Sequence, residues 1–479
     1  MLACLMLVPI MFAFDIGTID TAGSFLVSSI VTFFVGGGLV FASRRENTSM
    51  ERRQSYLTVT LVWIVIPLFA AMPFYFSGVS TDLIDAYFEA MSGFTTTGAS
   101  IFSDVEALPR SILFWRALLE WFGGFSLIIM LSILATTVND MANNSLGRAI
   151  AKSNRRRLSR KVRYAVISIL GVYSLLTVSC ILLLWLAGMG MFESICYAFS
   201  TLSTGGFMIS NSGAELFSGR LIELVLMIFM VIGAIDFALH WAFFNGDRKA
   251  YFQNPEYRYL IYVLIALIAV TFTMLLMQTD INPTDSLRYA MFNSVSALTT
   301  TGFMMPPVSN GTLVWPIGVV FLMLLAATIG GSTGSTAGGV KLLRIIMLLK
   351  LGLAEVRRLS FPRAVILLKY GKENITKDTI LSTWAFFAFY LFAAILVSLG
   401  LALTDLDMEA SLTLALANLA NAGAIVSTDL IVQTSENPQF VSYEALSGFA
   451  KIILCIAMLV GRLEFFAILT LLNPALWRR

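Results

Sequence analysis

The chain has 479 residues, of which 58% are hydrophobic and only 13% are charged, and its formal net charge is +3. Its mean hydropathy of +0.83 excludes an ordinary soluble domain. Stretches of roughly twenty apolar residues recur along the chain, which is the length that an α-helix needs to cross a bilayer at about 1.5 Å per residue. The composition therefore predicts an all-α polytopic membrane protein.

Nine apolar segments are the predicted spans. In chain order they cover residues 23–42, 56–76, 111–136, 164–187, 221–243, 258–278, 313–329, 379–403 and 446–472. Before them, the run MLACLMLVPIMFAF is short for a span and lacks the basic n-region and cleavage site of a secretory signal. A short or tilted helix and a start site set too far downstream both fit this run, and the sequence leaves the choice open.

Four loops between these spans share a second pattern. Each contains a half-apolar stretch that is too short to span, followed by a tetrapeptide that ends in glycine. The stretches are DAYFEAMSGFTTTG (85–98), ESICYAFSTLSTG (193–205), DSLRYAMFNSVSALTTTG (285–302) and EASLTLALANLANAG (409–423). Because their last glycines recur about every hundred residues, the chain carries a fourfold internal repeat.

The loops on the other side of the spans are basic, and by the positive-inside rule they face the cytoplasm with the C-terminus. All four glycine turns then face outward, so the repeats are parallel and related by an axis along the membrane normal. Each repeat is predicted to be outer helix, half-helix, turn and inner helix. The predicted limits are 1–54 for one or two extra N-terminal helices and 55–140, 160–246, 257–350 and 378–479 for the repeats.

This arrangement predicts a pore with pseudo-fourfold symmetry. Irregular backbone at membrane depth is tolerated where it lines a water-filled cavity. Rings of backbone carbonyls replace the hydration shell of K⁺, and glycine permits the positive φ that turns carbonyls inward. The half-helices aim their negative carbonyl ends at the axis, where a cation is stabilised. The acidic residues that begin them, Asp85, Glu193, Asp285 and Glu409, fit either helix capping with dipole complementation or a cation-concentrating vestibule.

Five further motifs accompany the tetrapeptides: WFGG (121–124), FALHWAFF (237–244), IGGSTGSTAGGVKLLRI (329–345), FPRAV (361–365) and GRLEFF (461–466). With four tetrapeptides in register, they make nearly the whole chain resemble the Trk/Ktr/HKT superfamily of potassium transporters, and within it the TrkH-type bacterial pore subunits. The resemblance implies K⁺ uptake at a bacterial inner membrane, with K⁺ as the transported ligand and no cofactor in this chain. It also implies a homodimer and cytosolic nucleotide-binding regulatory subunits of the TrkA type as partners, with membrane lipids and without nucleic acid.

Carried over position by position, the resemblance assigns sixteen residues to a K⁺ filter. They are Thr95, Thr96, Thr97, Gly98, Leu202, Ser203, Thr204, Gly205, Thr299, Thr300, Thr301, Gly302, Ala420, Asn421, Ala422 and Gly423. In this register Asn421 stands where the other repeats have Thr96, Ser203 and Thr300. Each strand has one glycine in place of the TVGYG pattern, so the preference for K⁺ over Na⁺ stays open.

A glycine-rich segment interrupts the inner helix of the third repeat. It does not fit a phosphate-binding loop, because no strand precedes it and no Gly-Lys-Ser/Thr follows. The resemblance implies a gate formed by this intramembrane loop together with an arginine of the last span. The gate residues are Gly330, Gly331, Ser332, Thr333, Gly334, Ser335, Thr336, Ala337, Gly338, Gly339 and Arg462. A snorkelling Arg462 near the cytoplasmic face, paired with Glu464 or capping a loop, is the alternative.

Three other features have plainer interpretations. Arg116 and Glu120 are four residues apart on a helix, which predicts an internal ion pair. His240 is predicted to pack or to bond to backbone, and the basic run 155–163 to set topology and contact anionic lipid, or to dock a cytosolic partner. A symporter coupled to H⁺ or Na⁺ is the alternative function, although such carriers commonly show inverted repeats. An enzyme is not expected, because no catalytic constellation is evident.

Overall fold

The computed structural model describes residues 1–13, 19–43, 52–142, 151–211, 219–305, 308–309, 312–313, 315–361, 368–371, 373–404, 406–426 and 442–463. Most of this part is helical. Two short antiparallel hairpins pair Val308–Ser309 with Thr312–Leu313 and Lys369–Tyr370 with Glu373–Asn374.

The helices fall into an N-terminal group and four repeats. The N-terminal group has α1 (Leu2–Leu5), a 3₁₀ turn (Pro9–Phe12) and α2 (Ile19–Ser43). Repeat 1 has α3 (Arg52–Ala70), α4 (Met72–Phe76), α5 (Leu83–Phe94) and α6 (Arg110–Ala142). Repeat 2 has α7 (Ala151–Leu186), α8 (Met191–Ser203), α9 (Arg220–Gly233) and α10 (Phe237–Phe244), and α11 (Ala250–Gln253) follows it. Repeat 3 has α12 (Pro255–Gln278), α13 (Pro283–Leu298), α14 (Ile317–Ile329) and α15 (Leu342–Ser360). Repeat 4 has α16 (Lys377–Ala402), α17 (Met408–Leu419) and α18 (Gly448–Arg462).

Six helices in the described part are long and apolar enough to cross a bilayer, and one bent pair makes a seventh. They match seven of the nine predicted spans. The predicted span 313–329 is the shorter apolar helix α14. Of the predicted span 446–472, α18 ends at Arg462, and residues 464–472 lie outside the described part.

The predicted span over 221–243 is a bent pair of helices and not one straight helix. The helix ends at Gly233, and α10 leaves at 100° after a three-residue break. Asp236 starts the new helix, because its carboxylate accepts a hydrogen bond from the Ala238 backbone N–H at 2.9 Å. The break exposes backbone groups that a straight helix would have satisfied, and a later segment of the chain binds them, as described below.

The four half-helices α5, α8, α13 and α17 form a closed ring with the inner helices. Each half-helix packs against the inner helix of its own repeat and against the inner helix of the repeat before it. Thus α8 contacts α9 and α6, α13 contacts α14 and α9, and α17 contacts α18 and α14. The half-helix α5 closes the ring, because it contacts both α6 and α18. The repeats are therefore parallel and arranged around one axis, as the sequence predicts.

The acidic residues at the half-helix starts lie in the first helical turns. The N-cap positions themselves belong to Asp82, Gly190, Asn282 and Asp407. These acidic residues are therefore not the N-cap residues themselves, whereas the position expected for dipole complementation is confirmed. Asp85 also pairs with the buried Lys451 of α18 at 2.5 Å, which ties the half-helix of repeat 1 to the inner helix of repeat 4.

Candidate pore and gate

The four half-helices end in the same backbone motif. Within each turn, one residue that is not glycine adopts the left-handed conformation. These residues are Thr96, Thr204, Thr300 and Asn421, with φ of 51°, 53°, 56° and 51°. In every turn, the N–H of the left-handed residue bonds to the carbonyl three residues earlier. The N–H of the following residue bonds to the carbonyl five residues before it, as in a Schellman C-cap. Threonine in this conformation is strained by about 1–3 kcal/mol, and strain of this kind is concentrated at functional sites. Asparagine tolerates it better than threonine does, which accounts for the departure at Asn421.

The shared motif corrects the register of the second repeat. Its left-handed residue is Thr204, so Thr204 and not Ser203 is equivalent to Thr96. The equivalent tetrapeptides are 95–98, 203–206, 299–302 and 420–423, which we call the turn segments. Leu202 is equivalent to Phe94, the last residue of α5, and therefore precedes the turn. Gly206, which is not among the predicted filter residues, takes the position of Gly98 and Gly302. These three glycines have φ of 95°, 74° and 86°, which a residue with a side chain adopts only at a cost.

The turn segments meet around the axis. A Cβ added to Gly98 would collide with the carbonyl oxygen of Gly205 in repeat 2. One added to Gly206 would collide with the carbonyl oxygen of Thr301 in repeat 3. Gly302 adjoins Ala424 of repeat 4, and the Ala424 N–H donates to the Thr97 carbonyl of repeat 1 at 3.1 Å. The segments therefore touch in cyclic order, with glycine backbone at the points of closest approach.

Side chains of two half-helices brace the strands that follow the turns. The Glu89 carboxylate accepts the Ile101 N–H at 3.0 Å. Asn293 bonds both the N–H and the carbonyl of Met305 at 2.8 Å. Each brace lies seven residues before the left-handed residue, and its partner lies five residues after it. Sequence reasoning missed these residues, although the constant spacing is a signal that could have found them.

Tyr197 occupies the same position in repeat 2, and its hydroxyl meets the backbone of Ile209. In repeat 4 the position is Leu414, which has no polar group. Three repeats thus carry a polar side chain at this position, and the fourth carries leucine.

Hydroxyl groups give the turn segments further support. The hydroxyls of Thr95 and Thr97 lie 2.7 Å apart, and those of Thr299 and Thr301 lie 2.9 Å apart. The Ser203 hydroxyl donates to the Phe199 carbonyl at 2.7 Å, as Thr95 does to the Met91 carbonyl. Repeat 4 has alanine at both hydroxyl positions.

Residues 330–339, which we call the glycine loop, lie against the ends of three half-helices. The Thr336 hydroxyl donates to the Leu202 carbonyl at 3.0 Å. The Gly338 N–H donates to the Thr300 hydroxyl at 2.6 Å, and the Gly339 N–H donates to the Ala420 carbonyl at 3.0 Å. The loop therefore contacts repeats 2, 3 and 4 in succession.

Other bonds fix the glycine loop to the broken helix of repeat 2. The Ser332 N–H donates to the Ala234 carbonyl at 2.9 Å, and the Thr336 hydroxyl also reaches the Gly233 carbonyl at 2.9 Å. From α12, the Glu256 carboxylate accepts the Thr333 N–H at 2.7 Å. The broken inner helix and the glycine loop satisfy each other's backbone groups, which is how irregular backbone is tolerated inside a membrane protein.

Arg462 lies against the end of the remaining half-helix, α5. Its guanidinium donates to the hydroxyl of Thr96, the left-handed residue of repeat 1, and its side chain is only 2% exposed. Burial at this depth does not fit the snorkelling alternative. Glu464, the partner in that alternative, lies outside the described residues. Together, the glycine loop and Arg462 contact all four half-helix ends.

Glycines of the inner helices let the half-helix ends approach closely. A Cβ added to Gly123 of WFGG would collide with the Phe94 carbonyl, and one added to Gly461 of GRLEFF would collide with the Leu419 carbonyl. The two motifs therefore have a packing role, since only glycine leaves room for these carbonyl ends.

The predicted ion pair between Arg116 and Glu120 is wrong. Arg116 pairs with Glu89 at 2.7 Å and donates to the Met208 carbonyl at 3.0 Å. Glu120 instead accepts the Phe207 N–H at 2.9 Å. Both carboxylates are fully buried, and each accepts a hydrogen bond from the strand after a turn segment. These bonds to the strands are formed in place of the ion pair between Arg116 and Glu120.

A cavity of about 160 Å³ adjoins the turn segments. Its lining includes Gly98, Gly206, Ala424 and Arg116. Elsewhere, His240 is buried and bonds to the Ile232 carbonyl at 2.9 Å and to the Tyr251 hydroxyl at 2.6 Å, which confirms the packing interpretation. The side chains of the basic run 155–163 lie outside the described part.

Comparisons with known proteins agree with this architecture. Residues 23–478 match the family described as TrkH, cation transport protein. The Trk system potassium uptake protein TrkH of Halomonas elongata is 33% identical over 460 residues, which is 95% of this chain and 92% of that protein. Its counterpart in Salmonella typhimurium is 34% identical over 468 residues, with 96% and 93% covered.

A solved structure shows the same fold. The crystal structure of the potassium transporter TrkH from Vibrio parahaemolyticus superposes with a TM-score of 0.83 at 31% identity, over 99% of this chain and 96% of that one. These relatives are transporters, which agrees with the expectation that the chain is not an enzyme. The chain belongs to the TrkH family of cation transport proteins.

Proposed function

We propose that this protein takes up K⁺ across the bacterial plasma membrane through a channel-like pore whose selectivity filter is the four turn segments. The observation that carries the proposal is the ring of four left-handed turns, each ending a half-helix and each touching the next segment around one axis. The named relatives in Halomonas and Salmonella are potassium uptake proteins of a Trk system, which supports K⁺ as the ion.

The chemistry of the ring suits a dehydrated cation. Carbonyl oxygens of the turn segments replace water around the ion, and positive φ at Gly98, Gly206 and Gly302 makes inward-facing carbonyls possible. Each half-helix adds the partial negative charge of its carbonyl end, about half an elementary charge. The braces from Glu89 and Asn293 hold the strands so that the ring keeps its width.

We propose that the glycine loop and Arg462 form the gate. They contact the four half-helix ends, and a buried guanidinium near the axis repels a cation that leaves the filter. The turn segments face outward, and the basic loops face the cytoplasm, where they are placed to dock nucleotide-binding subunits of the Trk system. In this proposal the chain works as a homodimer, and its domains are the four repeats with the limits given above.

Cation flux tests the filter. The purified protein in proteoliposomes is given gradients of K⁺, Rb⁺, Na⁺ and Li⁺ in turn, beside the variant Gly98→Ser. We expect K⁺ and Rb⁺ flux above Na⁺ flux, and a changed preference in the variant, because a side chain at φ 74° distorts the ring. Gly171→Ser is the matched control, since a Cβ at Gly171 meets nothing within 4 Å.

A different outcome would contradict this proposal. Flux that appears only with a gradient of H⁺ or Na⁺ as the second ion would favour a coupled symporter instead. An unchanged cation preference in Gly98→Ser, with the variant folded, would remove the turn segments from the ion path.

Arg462→Ala tests the gate. The change removes the positive charge beside Thr96, so we expect resting K⁺ flux to rise severalfold, whereas Arg462→Lys keeps the charge and stays near the parent value. Arg358→Ala is the control, because Arg358 is an exposed arginine on α15 that pairs with Glu355. Equal resting flux in folded Arg462→Ala and parent protein would rule out an electrostatic barrier at this residue.

A further inference from the structure

The fourth turn segment leaves the path that the other three follow. After their left-handed residues, repeats 1 to 3 continue through a glycine of positive φ. Gly423 has no positive φ, and residues Gly423–Ile425 form a 3₁₀ turn instead. The strand of repeat 4 is therefore shortened just beyond Ala422.

The 3₁₀ turn puts a methyl group inside the ring. Ala424 is equivalent to Ala99, Phe207 and Phe303, each three residues after a left-handed residue. Those three side chains are buried, and the Ala99 methyl group adjoins Gly423 alone among the glycines of the turn segments. Ala424 points the other way, because a Cβ added to Gly98, Gly206 or Gly302 would lie only 2.6 to 2.8 Å from its own Cβ. One methyl group thus touches the glycines of all three other repeats.

Two carbonyl groups of the proposed filter accept hydrogen bonds at this turn. The Ala424 N–H donates to the Thr97 carbonyl at 3.1 Å. The Tyr443 hydroxyl donates to the Gly423 carbonyl at 3.1 Å. A carbonyl that accepts a hydrogen bond from the protein has less capacity to hold a cation at the axis.

Repeat 4 also lacks the device that holds the other strands extended. Leu414 stands where the other repeats have the polar side chains Glu89, Tyr197 and Asn293, and the Val426 N–H bonds within its own turn to the Gly423 carbonyl at 3.1 Å. The strand is thus free of the bond that would prevent a 3₁₀ turn at this point.

We propose that Ala424 sets the aperture of the filter and that the 3₁₀ turn at Gly423–Ile425 is its movable part. With the turn formed, the methyl group and the two bonded carbonyls block K⁺; with the strand extended, as in repeats 1 to 3, the ring is complete. This inference rests on the proposed function and adds to it a residue that limits permeation. It differs from the gate at the glycine loop, which lies at the half-helix ends.

Uptake of ⁸⁶Rb⁺ into K⁺-starved cells of a bacterium that lacks its own K⁺ uptake systems tests the inference. Ala424→Gly removes the methyl group and is expected to raise the initial rate at least threefold. Ala424→Val adds two methyl groups inside the ring and is expected to reduce uptake to the level of cells without the protein. Ala99→Gly, the same change at the equivalent residue of repeat 1, is expected to stay within twofold of the parent, because its methyl group adjoins one glycine of a turn segment, Gly423, whereas that of Ala424 adjoins three.

The outcomes separate this inference from the proposed function. Parent protein that takes up no Rb⁺ would overturn the proposed function. Normal parent uptake, a changed cation preference in Gly98→Ser and rates within twofold of the parent for both Ala424 variants would overturn the role of Ala424 alone. If Ala424→Val does not reach the membrane, Ala424→Gly decides by itself, since an unchanged rate contradicts the inference.

Discussion

Repeats 1 to 3 and repeat 4 build the same half-helix and the same left-handed turn, but they support the strand after it differently. In repeats 1 and 3, a side chain of the half-helix bonds to backbone five residues beyond the turn, and Tyr197 stands at this place in repeat 2. In repeat 4, a leucine replaces that side chain, and alanine replaces both hydroxyl residues. The fourth strand then collapses into a 3₁₀ turn.

The difference shows that the turn and the strand have separate causes. The turn depends on helix-capping bonds that involve backbone alone, so it survives even where the sequence is ANAG. The extended strand depends on specific polar side chains. In our proposal, the strand of repeat 4, which has leucine at the position of the braces, is the place where the width of the pore changes.

Removing the strongest brace should have the largest effect. Glu89→Ala leaves the buried guanidinium of Arg116 without its carboxylate, which costs about 3–5 kcal/mol. We expect a large drop in the thermal midpoint of the detergent-solubilised protein and loss of K⁺ flux. Asp104→Ala is the control, because the Asp104 carboxylate is exposed and lies near the cavity that adjoins the turn segments. A midpoint within two degrees of the parent would show that the Glu89 brace is not needed.

The brace of repeat 3 should have a smaller effect, because it involves no charge. Asn293→Ala removes two hydrogen bonds to Met305 and leaves buried backbone groups unpaired, at a cost of about 1–3 kcal/mol. We expect a folded protein whose flux of Na⁺ relative to K⁺ is raised, since the strand can then bend as repeat 4 does.

Asn211→Ala serves as the control for this change, because Asn211 is exposed and bonds to the loop carboxylate of Asp104. Cation preference that stays the same in folded Asn293→Ala would mean that the brace stabilises the fold without shaping the ring.

The smallest effect is expected from removing the hydrogen bond that holds the 3₁₀ turn of repeat 4. Tyr443→Phe removes the hydrogen bond to the Gly423 carbonyl, which is worth about 0.5–1.5 kcal/mol. Because 1.4 kcal/mol is a tenfold change in an equilibrium, we expect K⁺ flux to rise by about two- to tenfold. Flux below the parent value would show that Tyr443 supports the conducting state, which would reverse the assignment.

Several particular features were predictable from sequence. The half-helices and their cyclic order follow from four short amphipathic stretches with glycine at their ends. The register of repeat 2 did not follow, because LSTG resembles TTTG while two glycines, Gly205 and Gly206, stand side by side. The choice between them depends on which residue ends α8, and that depends on the backbone bond from Gly205 to Ser200.

The sequence also did not predict the ion-pair partner of Arg116. Glu120, one helical turn away, is the local choice, but Glu89 from another helix is the observed partner. A buried charge takes the partner that packing brings closest, and packing between helices has no signature in local spacing. The same holds for the bend at residues 234–236, where the glycine loop satisfies the backbone of the break.

The sequence by itself determined the membrane-spanning class, the parallel fourfold repeat and the family, because apolar length and repeated motifs are properties of a linear chain. The tertiary structure alone decided which carboxylates brace the strands, that Arg462 lies against Thr96, and that Ala424 points into the ring. These contacts join residues that are distant in the chain, and their geometry depends on four repeats packing at once around a shared axis.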